Sequence, residues 1–440
     1  MLPGPTTPLN TGPTLPTDLQ RTLVNSGGPL ESPWLWGSLA TVTVLAGVGW
    51  LWWAFRAPPG GRRRRLRLVG AAVTVPILAL VSGGAWLNSQ VGYFPTPASL
   101  SEFVLGGSEV SLPATNAGPA ADQLGSPNPA GSRLVMETLE DAALGIRPGR
   151  TYVYLPAGYD SAAEATRRYP VVFLLHGFPG RAADWFEAGR AQYILDLLIG
   201  RQIVPPMIVV SPDASGGRGL YDSECLDAVP PEPKVESFVT HTVVSWLDQQ
   251  FRTIPDRSAR AIGGMSSGGY CALNVGLRQQ DTFSVILGMQ PYGDPGATGY
   301  AHLGRSLALR QANTPSRYIA TMRFRHQMSI MLDAGALDPA GVTRARTLAD
   351  ILVTRGQDVA FRSEPSQRHS WLAARAGLPY MLDFAGQRLR TTAGGPPPTA
   401  GGPSAGAGQP GQAPGAAAAQ WRTEPHRRRR RTLPGTPPSR

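Results

Sequence analysis

Arg260-Ala261-Ile262-Gly263-Gly264-Met265-Ser266-Ser267-Gly268-Gly269-Tyr270-Cys271-Ala272-Leu273 is the stretch on which the reading of this chain turns. Residues 260–263 read as a buried strand and 270–273 as the first turns of a helix. Between them lies a Gly-x-Ser-x-Gly turn. A serine at such a strand-to-helix turn occupies a strained backbone conformation that lifts its hydroxyl clear of the sheet. Side chains on either flank would collide there, which is the physical reason for Gly264 and Gly268. The pattern alone is weak, because Gly402-Pro403-Ser404-Ala405-Gly406 matches it too. No strand precedes Ser404 and no helix follows it, so Ser266 is the candidate nucleophile.

Outward from that turn, short apolar runs alternate with helical ones. Strands are expected near 152–155, 171–175, 207–211, 259–263, 283–289, 329–333 and 359–362. Helices are expected near 187–200, 236–251, 268–279, 340–354 and 371–388. This alternation predicts an α/β domain over 134–390, a mostly parallel sheet flanked by helices. Upstream, residues 34–55 and 68–87 are runs of 22 and 20 residues without a charge. Each is long enough to cross about 30 Å of hydrocarbon as a helix. Neither has a polar face, which argues against buried core helices, and no basic region precedes the first, which argues against a cleaved signal peptide. Tryptophans at 34, 36, 50, 52, 53 and 86 lie near the run ends, where amphipathic rings favour the headgroup zone. Residues 1–33 are expected to be disordered, 95–133 a flexible linker, and 391–440 a disordered Gly/Pro/Ala-rich tail.

The net charge is +11. Arg56, Arg62–Arg65 and Arg67, with Arg427–Arg431, hold that same number of positive charges, so the rest is close to neutral and a nucleic-acid surface is not expected. The loop 56–67 between the runs carries no acid. Positive loops stay cytoplasmic, so both termini and the α/β domain are expected outside the cytosol. Two cysteines exclude a disulfide-dense scaffold and a cysteine-based zinc cluster. No metal and no cofactor are expected, and the oligomeric state is open.

A serine hydroxyl needs a base, and in this strand–turn–helix arrangement the acid and histidine follow the serine in the chain. His302 and His326 fall in helix-like sequence and His426 in the tail. His369 follows the last strand, where a sheet-end loop presents it. For the acid, Asp338 lies beyond the strand 329–333 and is preferred; Asp333, at the strand's end, is the alternative and would pin the loop. The tetrahedral intermediate needs two backbone donors. The amide of Ser267 is one, and Phe178, in Leu174-Leu175-His176-Gly177-Phe178-Pro179-Gly180, supplies the other. His176 precedes the serine and reads as structural.

These pieces resemble the esterase-D-like α/β-hydrolases, a group that includes S-formylglutathione hydrolases, feruloyl esterases and the antigen 85 mycolyltransferases. The matching residues are Tyr154-Leu155-Pro156, Leu174-Leu175-His176-Gly177, Ser211-Pro212-Asp213, 260–266 and His369-Ser370-Trp371, spanning roughly 150–375. The resemblance implies Ser266 as nucleophile, His369 as base, Asp338 as acid, and Phe178 and Ser267 at the oxyanion positions. Arg368 departs from it, because a glycine usually precedes the histidine. Outside the cell a bond between Cys225 and Cys271 is favoured, two buried free thiols being the alternative. The expected function is a membrane-anchored, multi-pass, extracytoplasmic serine esterase or acyltransferase, acting through an acyl-enzyme on an ester of a lipid or envelope glycolipid. An aminoacyl-lipid or acetyl-polymer hydrolase is an alternative, and a non-catalytic envelope-binding module another.

Overall fold

The computed structural model describes residues 9–24, 27–105 and 131–391. The inner part of the expected linker, nearly all of the expected tail with its arginine cluster, Ser404 and His426 lie outside these residues. Eight strands form one sheet: β1 (Arg133–Asp141), β2 (Ile146–Leu155), β3 (Val171–Leu175), β4 (Ile208–Ser211), β5 (Arg260–Met265), β6 (Val285–Met289), β7 (Ser329–Gly335) and β8 (Asp358–Glu364). Their order is β1-β2-β4-β3-β5-β6-β7-β8. β1 and β2 form an antiparallel hairpin, β2 runs antiparallel to β4, and β4 through β8 are parallel.

Every residue of β3 and β5 is buried, which is why they read as continuous apolar runs rather than alternating ones. The helices Ser267–Arg278 and Pro339–Thr354 cover one face, with a helical stretch that passes from Val235–Ser237 through a π-helical segment to Val244–Gln250. Ala191–Gly200 and Trp371–Gly386 cover the other face. β5 lies between β3 and β6, so the turn after it opens at the C-terminal edge of the parallel strands, where open α/β sheets place their ligands.

Four sequence expectations need correction. No strand is expected before 152, and residue 133 is expected in the linker; instead Arg133–Asp141 pairs along β2, from Arg133 opposite Leu155 to Asp141 opposite Ile146. Residues 1–33 are not wholly disordered, since 9–24 dock on the α/β domain. Asn10 bridges Ala360 of β8, its carbonyl accepting from the Phe361 amide at 2.8 Å, and Leu15 and Leu19 of the segment that includes the helix Thr17–Val24 are buried beside that face. The basic loop is shorter than 56–67, because Arg62–Arg67 already belong to the helix Arg62–Val91. The linker is partly ordered, with a helix at Pro97–Leu105.

The charge-free runs form two antiparallel helices, Pro33–Phe55 and Arg62–Val91, long and apolar enough to cross a membrane. Their apolar windows are 6% and 0% buried, so they are not core helices of the α/β domain. Thr43 and Ser82 hydroxyls bond across the pair at 2.9 Å. At the end nearest the α/β domain the two helices are tied into it. Arg375 donates to the Glu31 carboxylate (2.9 Å), the Ala188 carbonyl (3.0 Å) and the Gly92 carbonyl (3.3 Å). Leu30 N–H donates to the Pro95 carbonyl at 3.1 Å, and the Asn88 amide donates to the Leu30 carbonyl at 3.1 Å and the Phe94 carbonyl at 2.8 Å. Arg375 and Glu31 are both buried. Losing one partner of such a pair strands the other's charge, so the seat is specific even where its net stabilisation is small.

Candidate active site

Ser266 directly follows β5 with φ 60° and ψ −117°, a positive-φ conformation that a non-glycine residue adopts only where its surroundings enforce it. The enforcement is visible at its flanks. A Cβ on Gly264 would lie 2.2 Å from the Gly268 carbonyl oxygen, and one on Gly268 would lie 2.1 Å from that of Leu175. The helix Ser267–Arg278 starts at once, and its first amides have no partner within the helix.

His369 lies in the loop after β8. Its Nε2 is 2.9 Å from Ser266 Oγ. The loop is held from below by Gln290, a buried residue with φ 51° directly after β6. The Gln290 side chain donates to the Ser370 carbonyl and accepts from the Ser370 amide, both at 3.1 Å. The Gln290 amide donates to the Asp333 carbonyl (3.0 Å) and to Asp333 Oδ1 (3.1 Å). Sequence reasoning missed Gln290, since a lone polar residue after a strand carries no pattern.

The two candidate acids separate clearly. Asp338 Oδ2 is 3.9 Å from His369 Nδ1, within ion-pair range but beyond hydrogen-bond length. Asp338 also caps the helix Pro339–Thr354, accepting from the Gly341 amide at 3.0 Å, and lies 3.9 Å from Arg344. Its loop is stitched to the histidine's: the Leu337 amide donates to the Gln367 carbonyl at 2.8 Å, and a Cβ on Gly335 would come within 2.5 Å of that same oxygen. Asp333 is buried in β7 and faces Gln290. Its Oδ2 has no hydrogen-bond partner, and burial together with the Glu364 carboxylate holds its carboxyl well above the usual range. Burial pulls the His369 imidazole below its ordinary value; Asp338 opposes that shift and Arg344 adds to it.

On the opposite side, residue 177 passes beside the serine: a Cβ on Gly177 would lie 3.3 Å from Ser266 Cβ. Phe178, next in that loop, is 43% exposed. His176 is structural in its contacts. Its Nδ1 pairs with the Gly177 carbonyl at 2.9 Å and its Nε2 accepts from the Ala214 amide at 3.0 Å. His302 bonds the Asp222 carbonyl at 2.7 Å, and His326 pairs with Asp281 at 2.8 Å.

The Ser267 side chain sits in a network that the sequence did not signal. Its Oγ is 3.1 Å from Asp222 Oδ1 and 3.3 Å from Glu224 Oε2. The Tyr292 hydroxyl donates to Glu224 at 2.7 Å. Burial, with Asp222 beside it, pushes the Glu224 carboxyl up to about 8. Ser267 has one proton to give, so a Glu224 that keeps its own can donate to Ser267 while Ser267 donates to Asp222. Cys225 and Cys271 are joined by a disulfide, with Cα atoms 5.5 Å apart, which ties this acidic loop to the helix behind Ser266. Among the described residues no three His, Cys, Asp or Glu side chains converge as metal ligands.

Comparison with known proteins places the chain among esterases. A family model described as "Putative esterase" matches residues 146–382, a little over half of the chain. An uncharacterized protein of Corynebacterium glutamicum is 26% identical over 239 residues, 53% of this chain and 54% of its own length. An esterase of Mycobacterium tuberculosis is 32% identical over 152 residues, 34% of this chain and 31% of its own length. The chain thus spans about half the length of the first of these relatives and about a third of the second. A solved ferulic acid esterase is 26% identical with a TM-score of 0.52, covering 59% of this chain and 99% of its own.

Proposed function

The chain belongs to the esterase family and has the α/β-hydrolase fold; on that premise we propose that it is a membrane-anchored, extracytoplasmic serine esterase or acyltransferase. The observation that carries the reading is the 2.9 Å contact between Ser266 Oγ and His369 Nε2. His369, neutral through its lowered pKa, takes the Ser266 proton as the oxygen attacks an ester carbonyl. The amides of Ser267 and Phe178 receive the developing oxyanion, and Asp338 supports the imidazolium. His369 then returns the proton to the departing alcohol, leaving an acyl-enzyme. Water, or the hydroxyl of an acceptor, resolves it with His369 again as base.

Four observations support the location. Glu31, just ahead of the first long helix, and Gly92, just behind the second, both bond Arg375 of the α/β domain, so the two long helices form a hairpin whose open ends lie on one side. The end of the hairpin away from the α/β domain carries Arg56 at the turn and Arg62–Arg65 and Arg67 in the first turns of the second helix, and positive flanks stay cytoplasmic. Tryptophans ring both ends of the hairpin: Trp34 and Trp86 at the end nearest the α/β domain, and Trp52 and Trp53 at the other, stacked under Arg56 (3.7 Å) and Arg67 (4.1 Å). The disulfide suits an oxidising compartment. The substrate is then an acyl ester of a membrane lipid or envelope glycolipid. An aminoacyl ester is a second reading, favoured by the Asp222 carboxylate, which accepts from Ser267, the residue after the nucleophile, and where a cationic amino group would find opposite charge.

A fluorophosphonate probe applied to the full chain in membranes is expected to label the wild type and to leave Ser266→Ala unlabelled. Equal labelling of both proteins would remove Ser266 as nucleophile. Offering the same preparation matched acyl and aminoacyl lipid esters separates the two readings: faster cleavage of the plain acyl ester upholds the first.

A further inference from the structure

The chain that joins the long helices to the α/β domain is built against the active-site loops. Val91 ends the second long helix four residues past Leu87, the end of its charge-free run. Four residues of helix rise about 6 Å, which stays inside the headgroup layer that adds roughly 5–8 Å to each side of the hydrocarbon. Directly beyond, the rings of Tyr93, Phe94 and Phe103 pack edge-on, with centroids 4.7, 5.1 and 5.9 Å apart. The Tyr93 hydroxyl donates to Asp184 at 2.9 Å, and the Arg181 guanidinium lies 5.7 Å from the Phe103 ring. Asp184 accepts in turn from the Arg181 amide at 2.9 Å, and a Cβ on Gly180 would come 2.9 Å from its carboxylate. The loop carrying Phe178 is therefore braced by residues that have just left the hairpin. On the other side of the mouth, Gly92 backs onto Leu372 so tightly that a Cβ would lie 2.5 Å from its Cδ2. Leu372 is three residues past His369, at most about 11 Å of chain.

The helix Pro97–Leu105 follows this collar. Thr96 and Ser99 cap its start reciprocally, each hydroxyl accepting from the other's amide at 3.2 Å. Ser99 is buried, while Leu100, Phe103 and Val104 are 40%, 45% and 65% exposed. The spacing i, i+3, i+4 puts these three on one stripe. An apolar stripe on a short helix at the end of a membrane-crossing segment is the pattern of an interfacial helix.

We infer that the helix Pro97–Leu105 lies in the headgroup zone of the outer leaflet, with Leu100, Phe103 and Val104 among the lipid chains, so that the mouth between Phe178 and His369 opens onto the bilayer and an ester substrate enters it sideways from the leaflet. The inference rests on the anchored reading above and adds to it a contact surface and a direction of entry. Continuity with the hairpin selects the bilayer as occupant over a second copy of the chain.

The test uses the full chain in lipid vesicles. With Cys225 and Cys271 bonded, Val104→Cys supplies a free thiol for an environment-sensitive fluorophore. Its emission is expected to be quenched by lipids spin-labelled near the headgroup. No quenching, in protein that stays in the vesicles through an alkaline carbonate wash, overturns the inference and leaves the anchored reading standing. A label shielded from aqueous iodide yet untouched by the lipid quencher assigns the stripe to a second copy and overturns it equally. Protein released by the wash overturns the anchored reading itself. In the same vesicles, the double variant Leu100→Asp/Val104→Asp is expected to cut turnover of a long-chain lipid ester about tenfold while a water-soluble p-nitrophenyl ester changes less than about twofold. Equal losses on both esters would remove the stripe from substrate entry.

Discussion

The loop of His369 and the loop of Asp338 meet at the same imidazole but are held by unlike means. Below, Gln290 grips the Ser370 backbone with two buried hydrogen bonds and is itself gripped by Asp333. Beside the ring, Asp338 stands 3.9 Å away, part-exposed, and divided between a helix cap, Arg344 and the histidine. The difference separates two jobs that a catalytic acid is often asked to do together. Buried, fully paired backbone contacts fix where the ring sits. The exposed carboxylate needs only to stabilise the charge that the ring acquires, and a contact beyond hydrogen-bond length at rest can tighten as that charge develops.

The largest expected effect comes from exchanging the two acids' roles on paper and in the protein. Asp338→Asn is expected to lower kcat by about 10²–10³-fold, because it removes the charge that faces the imidazolium. Asp333→Asn is expected to stay within about threefold, since burial already keeps that carboxyl protonated and an amide replaces it without adding or removing charge. Steady-state kinetics on a soluble ester decide this. A collapse of Asp333→Asn with a mild Asp338→Asn would transfer the catalytic acid to β7.

Gln290→Leu comes next. It leaves the Ser370 amide unpaired in the interior, at about 1–3 kcal/mol, while the Ser370 carbonyl loses one donor and keeps the Ala374 amide at 3.2 Å. The melting temperature is expected to fall by several degrees and kcat by about tenfold, through a misplaced ring. The acidic limb of its pH profile should not move, because Gln290 carries no charge. A shifted limb with an unchanged melting temperature would make Gln290 an electrostatic partner rather than a clamp.

How much of this was legible follows from where each feature draws its stability. β3 and β5 are central and buried on both faces, so composition alone marks them. Ser266, His369 and Asp338 are legible because a strained turn and a fixed chain order constrain them locally. β1 is an edge strand whose residues are all half-buried or exposed, without alternation, and Leu134, Val135, Met136 and Leu139 follow no clean period. The docked segment 9–24 reads as low complexity because its leucines are spaced between Pro, Thr and Gly; their burial comes from β8 and the helix Trp371–Gly386, far along the chain. Arg375 meets Glu31 across 344 residues, and no local pattern announces such a pair. The Ser267 network has the same character, since Asp222, Glu224 and Tyr292 converge only after the disulfide-tied loop has folded over the helix.

The smallest expected effect is the finest probe of the exposed side of the ring. The base works when neutral, so kcat/KM should be level at high pH and fall as pH drops through the His369 pKa. Burial sets that pKa below its ordinary value, Asp338 lifts it and Arg344 lowers it. Arg344→Gln removes the repulsive positive charge, so protonation becomes easier and the limb moves toward higher pH. Arg344 is 53% exposed, so screening keeps the move small at low ionic strength and smaller still at about 0.5 M salt. Asp338→Asn removes the attractive charge and should move the limb the other way, whatever it does to the plateau. Opposite displacements by the two variants, both shrinking with salt, mark Asp338 and Arg344 as the exposed electrostatic partners of the imidazole. Displacements in the same direction would mean that the ring had moved instead, and that the clamp beneath it is weaker than its four hydrogen bonds imply.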